Sequence, residues 1–359
     1  MMTRRTSIAL FMTALVIFGG CIDEIDLEGG DKGQGRMVIQ GSLAKGCPSF
    51  VSIQVSRSLD YKSRELPPPV SGALVYLHDI DGNELQVPEI EAGHYMIEMI
   101  ENSGFPLETG QEYMISVTTS DNDRYISTFE PLLEVPEPDS VSLGLVEREE
   151  LDLNNIKHLK NYAQFFIHTP LLSEAQADRS LLRWTFEIVY QVTEVFVPGP
   201  GPGPQTCYVS ANLGLDEVVI FNGAETNSHR LDQIMLVEDE ANNRFGLGYL
   251  IRVKQQSLSR ESYQYWNQVK QAVSLSGGLF EATPGVIVGN ISNELDPGEE
   301  VLGYFYATEE VQISRFVKPS QVGYPNAYCA STQNAASDEC FNCTLIPNST
   351  KELPEGWEF

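Results

Sequence analysis

From Met37 to Phe129 apolar and polar residues alternate in short runs, the period of half-buried β-strands. Met37, Ile39 and Leu43 share one side of an extended chain, as do Val51, Ile53 and Val55, then Ala73, Val75 and Leu77, then Tyr113, Ile115 and Val117. Turn signals separate the runs at Asp81-Gly82-Asn83, Ala92-Gly93, Thr109-Gly110 and Asp121-Asn122-Asp123. The pattern predicts about seven strands in a small β-sandwich of immunoglobulin-like or transthyretin-like type over residues 36–135, with Pro67-Pro68-Pro69 in a loop.

Residues 130–140 carry Pro131, Pro136 and Pro138 and read as an extended connector, because proline blocks helix and central strand alike. A polar stretch follows, then strong strands over 162–169 and 181–197; in the latter Leu182, Trp184, Phe186, Ile188, Tyr190 and Val192 alternate with polar or smaller residues. Four prolines from Pro198 to Pro204 alternate with glycine and predict a polyproline-like loop. One helix is expected over 259–276: Ser259 caps it, Leu258 and Tyr263 occupy the staple positions, and Gly277-Gly278 ends it. Returning strands follow at 286–288, 302–306 and 311–317. The fold class is thus mainly β, the sandwich being followed by a second β-rich domain over 136–325 with one main helix, and by a cysteine-bearing tail over 326–359.

The amino-terminal 20 residues have a different logic. Arg4 and Arg5 precede an apolar run from Ile8 to Gly20, and Cys21 follows at once, the order of parts in a bacterial lipoprotein signal peptide. An uncleaved spanning anchor is the rival, but the run has 13 residues where a helix needs ~20 to cross a bilayer. Residues 1–20 therefore read as a signal and Cys21 as the lipid attachment site, with acyl chains holding the mature protein on a membrane. The Gly-rich, charged residues 21–35 form a flexible tether. Within it Asp23 and Glu24 resemble the export signal that places lipoproteins on the outer face of Bacteroidota outer membranes; an acidic tether is the plainer account of the same residues.

The chain's formal charge of −27 becomes −29 once Arg4 and Arg5 leave with the signal. Such a charge repels nucleic acid and anionic lipid surfaces and promotes solubility. Beyond Cys21 there are five cysteines, Cys47, Cys207, Cys329, Cys340 and Cys343, and in an oxidising compartment disulfides are the default, with one thiol left over. The tail trio is expected to be stapled within itself or back to Cys207. Cys340-Phe-Asn-Cys343 lacks a second Cys-x-x-Cys and a nearby His, so no metal site is expected.

Other chemistry is sparse. Asp79-Ile-Asp81-Gly-Asn83-Glu84 invites calcium, yet an EF-hand needs Gly where Glu84 stands and Glu where Ile90 stands; a hairpin turn accounts for the same residues. Asp139-Ser140-Val141 resembles a Bacteroidota O-glycosylation site at Ser140. No nucleophile elbow, His-Glu-x-x-His, phosphate loop or dinucleotide fingerprint occurs, and the five histidines are isolated in sequence. A glycosidase-like carboxylate pair would leave no sequence trace, so an envelope hydrolase is the least favoured reading and no cofactor is expected. Tyr263, Tyr265 and Trp266 are the candidates for a ligand or partner surface, since paired rings suit a sugar; at helical spacing rings more commonly pack as core.

The segments Tyr263-Gln-Tyr265-Trp266-Asn-Gln-Val269, Gly278-Leu-Phe280, Gly289-Asn290-Ile291 and Val301-Leu302-Gly303-Tyr304-Phe305 closely resemble the C-terminal signature of domain-of-unknown-function family 4249. The resemblance covers most of the mature chain, while Cys47 falls outside the family pattern. It implies a Bacteroidota outer-membrane lipoprotein, a companion of TonB-dependent receptors, and supplies no catalytic residues. The expected role is a non-catalytic accessory or ligand-capture partner of such a transporter; a structural or adhesive surface protein is the alternative.

Overall fold

The computed structural model describes residues 35–59, 63, 65–99, 104–173, 178–196, 203–214, 217–274, 287–329 and 337–358. Cys21, Asp23, Glu24, the rest of the tether up to residue 34 and most of the Pro-Gly loop lie outside the described residues. So do Gly277-Gly278 and the Gly278-Leu-Phe280 segment.

The first sandwich is built from β1 (Met37–Lys45), β2 (Ser49–Arg57), β3 (Leu74–Asp79), β4 (Glu84–Val87), β5 (Glu89–Glu91), β6 (His94–Met99), β7 (Glu112–Thr118), β8 (Arg124–Ser127) and β9 (Glu130–Pro131). β1, β2, β6 and β5 are neighbours in one sheet; β8, β7, β3 and β4 lie in the other, with β9 beside β7. The alternating residues meet between them: Met37, Ile39, Leu43, Val51, Ile53, Val55, Val75, Leu77, Tyr113, Ile115 and Val117 are buried in a common core. Asp79 closes the β3–β4 hairpin, its carboxylate accepting from Asp81 N (3.0 Å), Asn83 N (2.8 Å) and Asn83 Nδ2 (2.6 Å). Burial alone would raise its pKa, but these hydrogen bonds prevail and hold it below the usual carboxylate range. The residues that invited calcium form a turn.

The elements that follow are β10 (Ser140–Leu151), β11 (Lys157–Pro170), β12 (Leu181–Thr193), β13 (Thr206–Leu213), β14 (Val219–Asn222), β15 (Arg230–Glu240), β16 (Tyr249–Leu258), α1 (Arg260–Ser274), β17 (Ile291–Asn293), β18 (Phe305–Val317) and β19 (Ser349–Thr350), and most of them build a second unit. The three-stranded sheet β10-β11-β15 contributes Val141, Ala163, Phe165 and Ile167 to a core shared with Trp184, Phe186, Ile188 and Val253 of β12 and β16. The stretch after the connector, read as merely polar, is instead strand: β10 is 12 residues long and pairs with β11 from Ser140↔His168 to Leu151↔Lys157. Its polarity arises because the outer half has no sheet to cover it, β15 ending opposite Tyr162 at Glu240.

β18 ties the two units together. It runs parallel to β1 from Gly41↔Phe305 to Lys45↔Glu309 and antiparallel to β16 from Gln256↔Glu310 to Tyr249↔Val317. One ten-stranded sheet therefore crosses both units. Phe305 and Ala307 fill the first core, and Val317 the second. β17 pairs with β8, so residues 291–307 complete the first sandwich, and the expected limit of 136–325 for a separate second domain needs correcting. Alternation identifies a strand but not its neighbour, and here the neighbour of β1 comes some 260 positions later through a parallel pairing. The strand expected at 286–288 is also displaced: residues 287 and 288 are not in a strand, residue 286 lies outside the described residues, and the pairing falls at Ile291–Asn293.

The proline-rich connector is held fast. Val135 N donates to Glu309 Oε2 (2.9 Å), Ser257 Oγ to Leu133 O (2.5 Å) and Gln255 Nε2 to Pro136 O (2.6 Å). Gln255 is fully buried and also accepts from Trp184 Nε1 (2.8 Å), so its amide satisfies the connector and the second core at once. Cys207 of β13 is bonded to Cys343 of the tail, and Cys329 to Cys340; among the described residues Cys47, exposed in the β1–β2 turn, is the free thiol. Among the described residues no helix is long and apolar enough to cross a membrane.

Candidate functional site

On β1 and β2 the positions that alternate with the core point outward, and they carry amides and hydroxyls. Register places Gln40 opposite Gln54 and Ser42 opposite Ser52, while β6 sets His94 opposite Gln54. Ser52 Oγ lies 3.1 Å from His94 Nε2. On the other flank Tyr306 of β18 stands opposite Ser42. Residues 36–59 contain no Asp or Glu in a chain that has 50 of them, and the outward positions Gln40, Ser42, Ser52 and Gln54 carry no charge.

α1 covers one side of that face. Ser259 caps the helix as its sequence predicts, its Oγ accepting from Ser262 N at 3.0 Å. Tyr265 is buried and stacks on Tyr304, with ring centroids 4.5 Å apart; Trp266 meets Tyr306 edge-on at 5.8 Å. Arg183 of β12 lies over Trp266 with its guanidinium carbon 3.8 Å from the ring centre, and its Nη1 donates to Gln256 Oε1 (2.8 Å) and Tyr306 Oη (3.2 Å). The indole N–H is shielded from solvent without a partner among the described residues, so stacking, not hydrogen bonding, holds the ring. Between helix and sheet remains a cavity of about 190 Å³, floored by Gln40, Ser42, Ser52 and Gln54 and walled by Tyr265, Trp266, Tyr304 and Tyr306.

Directly beneath the aromatic wall sits Glu130, 2% exposed. One carboxylate oxygen accepts from Tyr304 Oη and, at 3.4 Å, from Asn290 Nδ2; the other accepts from Ser259 Oγ at 2.7 Å. Asn290 in turn clasps β18, donating to Phe305 O (2.8 Å) and accepting from Phe305 N (2.9 Å). Gly289 and Gly303 permit the close approach: a Cβ on Gly289 would lie 1.9 Å from Gly303 O. The described segments of the family signature, around Tyr265, Asn290 and Tyr304, thus converge on one buried joint.

Burial pushes the Glu130 carboxyl up, and the hydrogen bonds from Tyr304 and Ser259 only partly oppose it. A raised folded pKa means that the native state holds the proton more tightly than the unfolded chain. The resulting stability is present in full below the unfolded value of about 4.3 and is lost as pH rises through the raised folded value. Glu130→Gln, which keeps the shape and removes the titration, is expected to flatten this part of the profile. Urea midpoints for both proteins from pH 4 to 7 check it; parallel profiles would count against it.

The candidates named from sequence separate. Trp266 and Tyr265 border the cavity, whereas Tyr263 is half-buried elsewhere on the helix and lines no part of it. Val273 near the end of α1 is exposed, because the contact face centres on Ser262 and Tyr265. Ser140 is exposed as the first residue of β10, next to Asp139, whose carboxylate accepts from Arg230 Nη2 at 2.7 Å. The sequence reading missed Glu130, Arg183, Gln40, Ser42, Ser52 and Gln54. The acid-free run 36–59 was the available signal for the last four.

A family model described as a domain of unknown function, DUF4249, matches residues 22–314. The chain belongs to this family. The DUF4249 match spans both β-rich units and all of α1, and it includes Glu130 and every residue lining the cavity. No curated protein matches the chain.

Proposed function

We propose that this DUF4249 protein is a lipid-anchored outer-membrane lipoprotein, facing the cell exterior, that serves a TonB-dependent transporter as a non-catalytic accessory and ligand-capture partner. The anchor rests on the order Arg4-Arg5, apolar run, Cys21, and the family match beginning at residue 22 supports it. Tethering of this kind raises the local concentration of a bound partner or ligand.

The observation that carries the partner role is the β10–β11 hairpin. Beyond Tyr162↔Glu240 it continues as a two-stranded ribbon for about 17 Å, at ~3.4 Å per residue. A lone ribbon is marginally stable in water. Cross-strand charges support this one: Lys157 Nζ lies 2.6 Å from Glu149, Lys160 Nζ lies 3.1 Å from Glu150 and 3.0 Å from Glu240, and Arg148 Nη2 donates to Glu238 at 2.8 Å. Its outer end exposes Leu151, Leu153, Ile156 and Leu159, an apolar cluster suited to a protein partner.

Tagged protein isolated from native outer membranes in mild detergent is expected to bring down a barrel receptor, and Leu153→Asp with Ile156→Asp is expected to lose the barrel while keeping its membrane location. Recovery of the wild-type chain free of any barrel protein would overturn the partner role. A Cys21→Ser chain that still fractionates with the envelope and takes up as much labelled palmitate would overturn the anchor.

A further inference from the structure

We infer that the cavity between α1 and the outer face of β1 and β2 binds a neutral, hydroxyl-rich ligand: one sugar ring, or the end of a short neutral oligosaccharide. This deepens the capture role proposed above and rests on it only for biological context. The chemistry of the lining carries the inference. Gln40, Gln54, Ser42 and Ser52 each offer both donors and acceptors, the complement of sugar hydroxyls, which also do both. Among the described residues no carboxylate or ammonium lines the cavity, although the chain as a whole carries a formal charge of −27. The Arg183 guanidinium behind the wall is already engaged by Trp266, Gln256 and Tyr306, so a charged ligand would find no free counter-ion among the lining residues, and burying it unpaired would be costly.

Shape and rigidity agree with the chemistry. The walls are aromatic, formed by Tyr265, Trp266, Tyr304 and Tyr306, and such rings pack on the apolar C–H faces of a sugar while the floor meets its hydroxyls. At about 190 Å³ the cavity falls below the ~300 Å³ of pockets for larger organic ligands. The Tyr265–Tyr304 stack and the Arg183 guanidinium over Trp266 fix the walls in advance, so little ordering is left for the ligand to impose. The floor residues stand in hydrogen-bonded strands, Tyr265 and Trp266 in α1, and Tyr306 in β18.

The test uses the full chain in a detergent without a sugar headgroup, titrated by calorimetry with gluco-, manno- and xylo-oligosaccharides of two to six units, and with oligouronates of the same lengths. At least one neutral series is expected to bind, with the oligouronates weaker. Gln40→Ala and Gln54→Ala, both at exposed floor positions that leave the fold intact, are each expected to weaken binding roughly 5- to 10-fold, the effect of one lost hydrogen bond. No binding by any neutral series, tighter binding of oligouronates, or affinity unchanged in both variants would each overturn the inference. The measurement needs no barrel protein, so its failure leaves the transporter role standing, and failure of co-purification leaves the sugar site standing.

Discussion

Gly303→Ala is expected to destabilise the protein by about 4 kcal/mol or more, at the extreme of single substitutions, because two costs coincide. Gly303 has φ of +102°, where a side chain is strained, and an added Cβ would lie 1.9 Å from Ile39 O. Neither atom can give way cheaply. Ile39 N donates to Leu302 O and Gly41 N to Tyr304 O, so the new methyl would pry β1 from β18 along the pairing that unites the two units. The next residue, Tyr304, would move with it, loosening its stack on Tyr265 and its bond to Glu130. Urea denaturation would show a much lower midpoint, with Gly203→Ala as a control that meets nothing within 4 Å and is expected to change stability by no more than ~0.5 kcal/mol. A loss under about 1 kcal/mol for Gly303→Ala would mean that the joint is far more yielding than described.

The second large effect is expected from opening the Cys207–Cys343 bond. Its partners are 136 residues apart, and chain entropy gives a stabilisation of about 5 kcal/mol for a loop of that size, of which measured disulfides deliver 2–5. The Cys329–Cys340 bond spans only 11 residues, for which the same relation gives about 3 kcal/mol. Paired Cys→Ala replacements should therefore lower stability more at Cys207 and Cys343 than at Cys329 and Cys340. Both Cys207 and Cys343 are fully buried in the second core with Ile346, so lost packing adds to the larger effect. Chemical denaturation of the two double variants decides the ranking, and equal losses would show that loop size is not what matters here.

How much of this was legible follows from the range of each signal. The inward residues of β1, β2, β3 and β7 could be named from alternation alone, because a strand's two faces are set by its own sequence. Ser259 could be named as a cap for the same reason, since cap and first turn are contiguous. Glu130 could not. In sequence it is one acidic residue in a proline-rich connector, and its role arises only where Ser259, Asn290 and Tyr304 are brought around it. The leucines at the hairpin end were hidden in a stretch whose charges suggested surface, because a ribbon without a covering sheet loses the alternation that marks strands.

By itself the sequence determined that the chain is mainly β, which side of each strand is apolar, where the helix begins, and that a basic pair, a short apolar run and Cys21 open it. These are local properties, dictated by backbone period, capping and composition within a few residues. Only the tertiary structure decided that β18 bridges β1 and β16, that Ser259, Asn290 and Tyr304 surround a buried Glu130, and that a cleft floored by uncharged side chains faces outward beside them. Those outcomes depend on contacts between residues up to some 260 positions apart, and no local pattern encodes which distant strand or side chain will arrive.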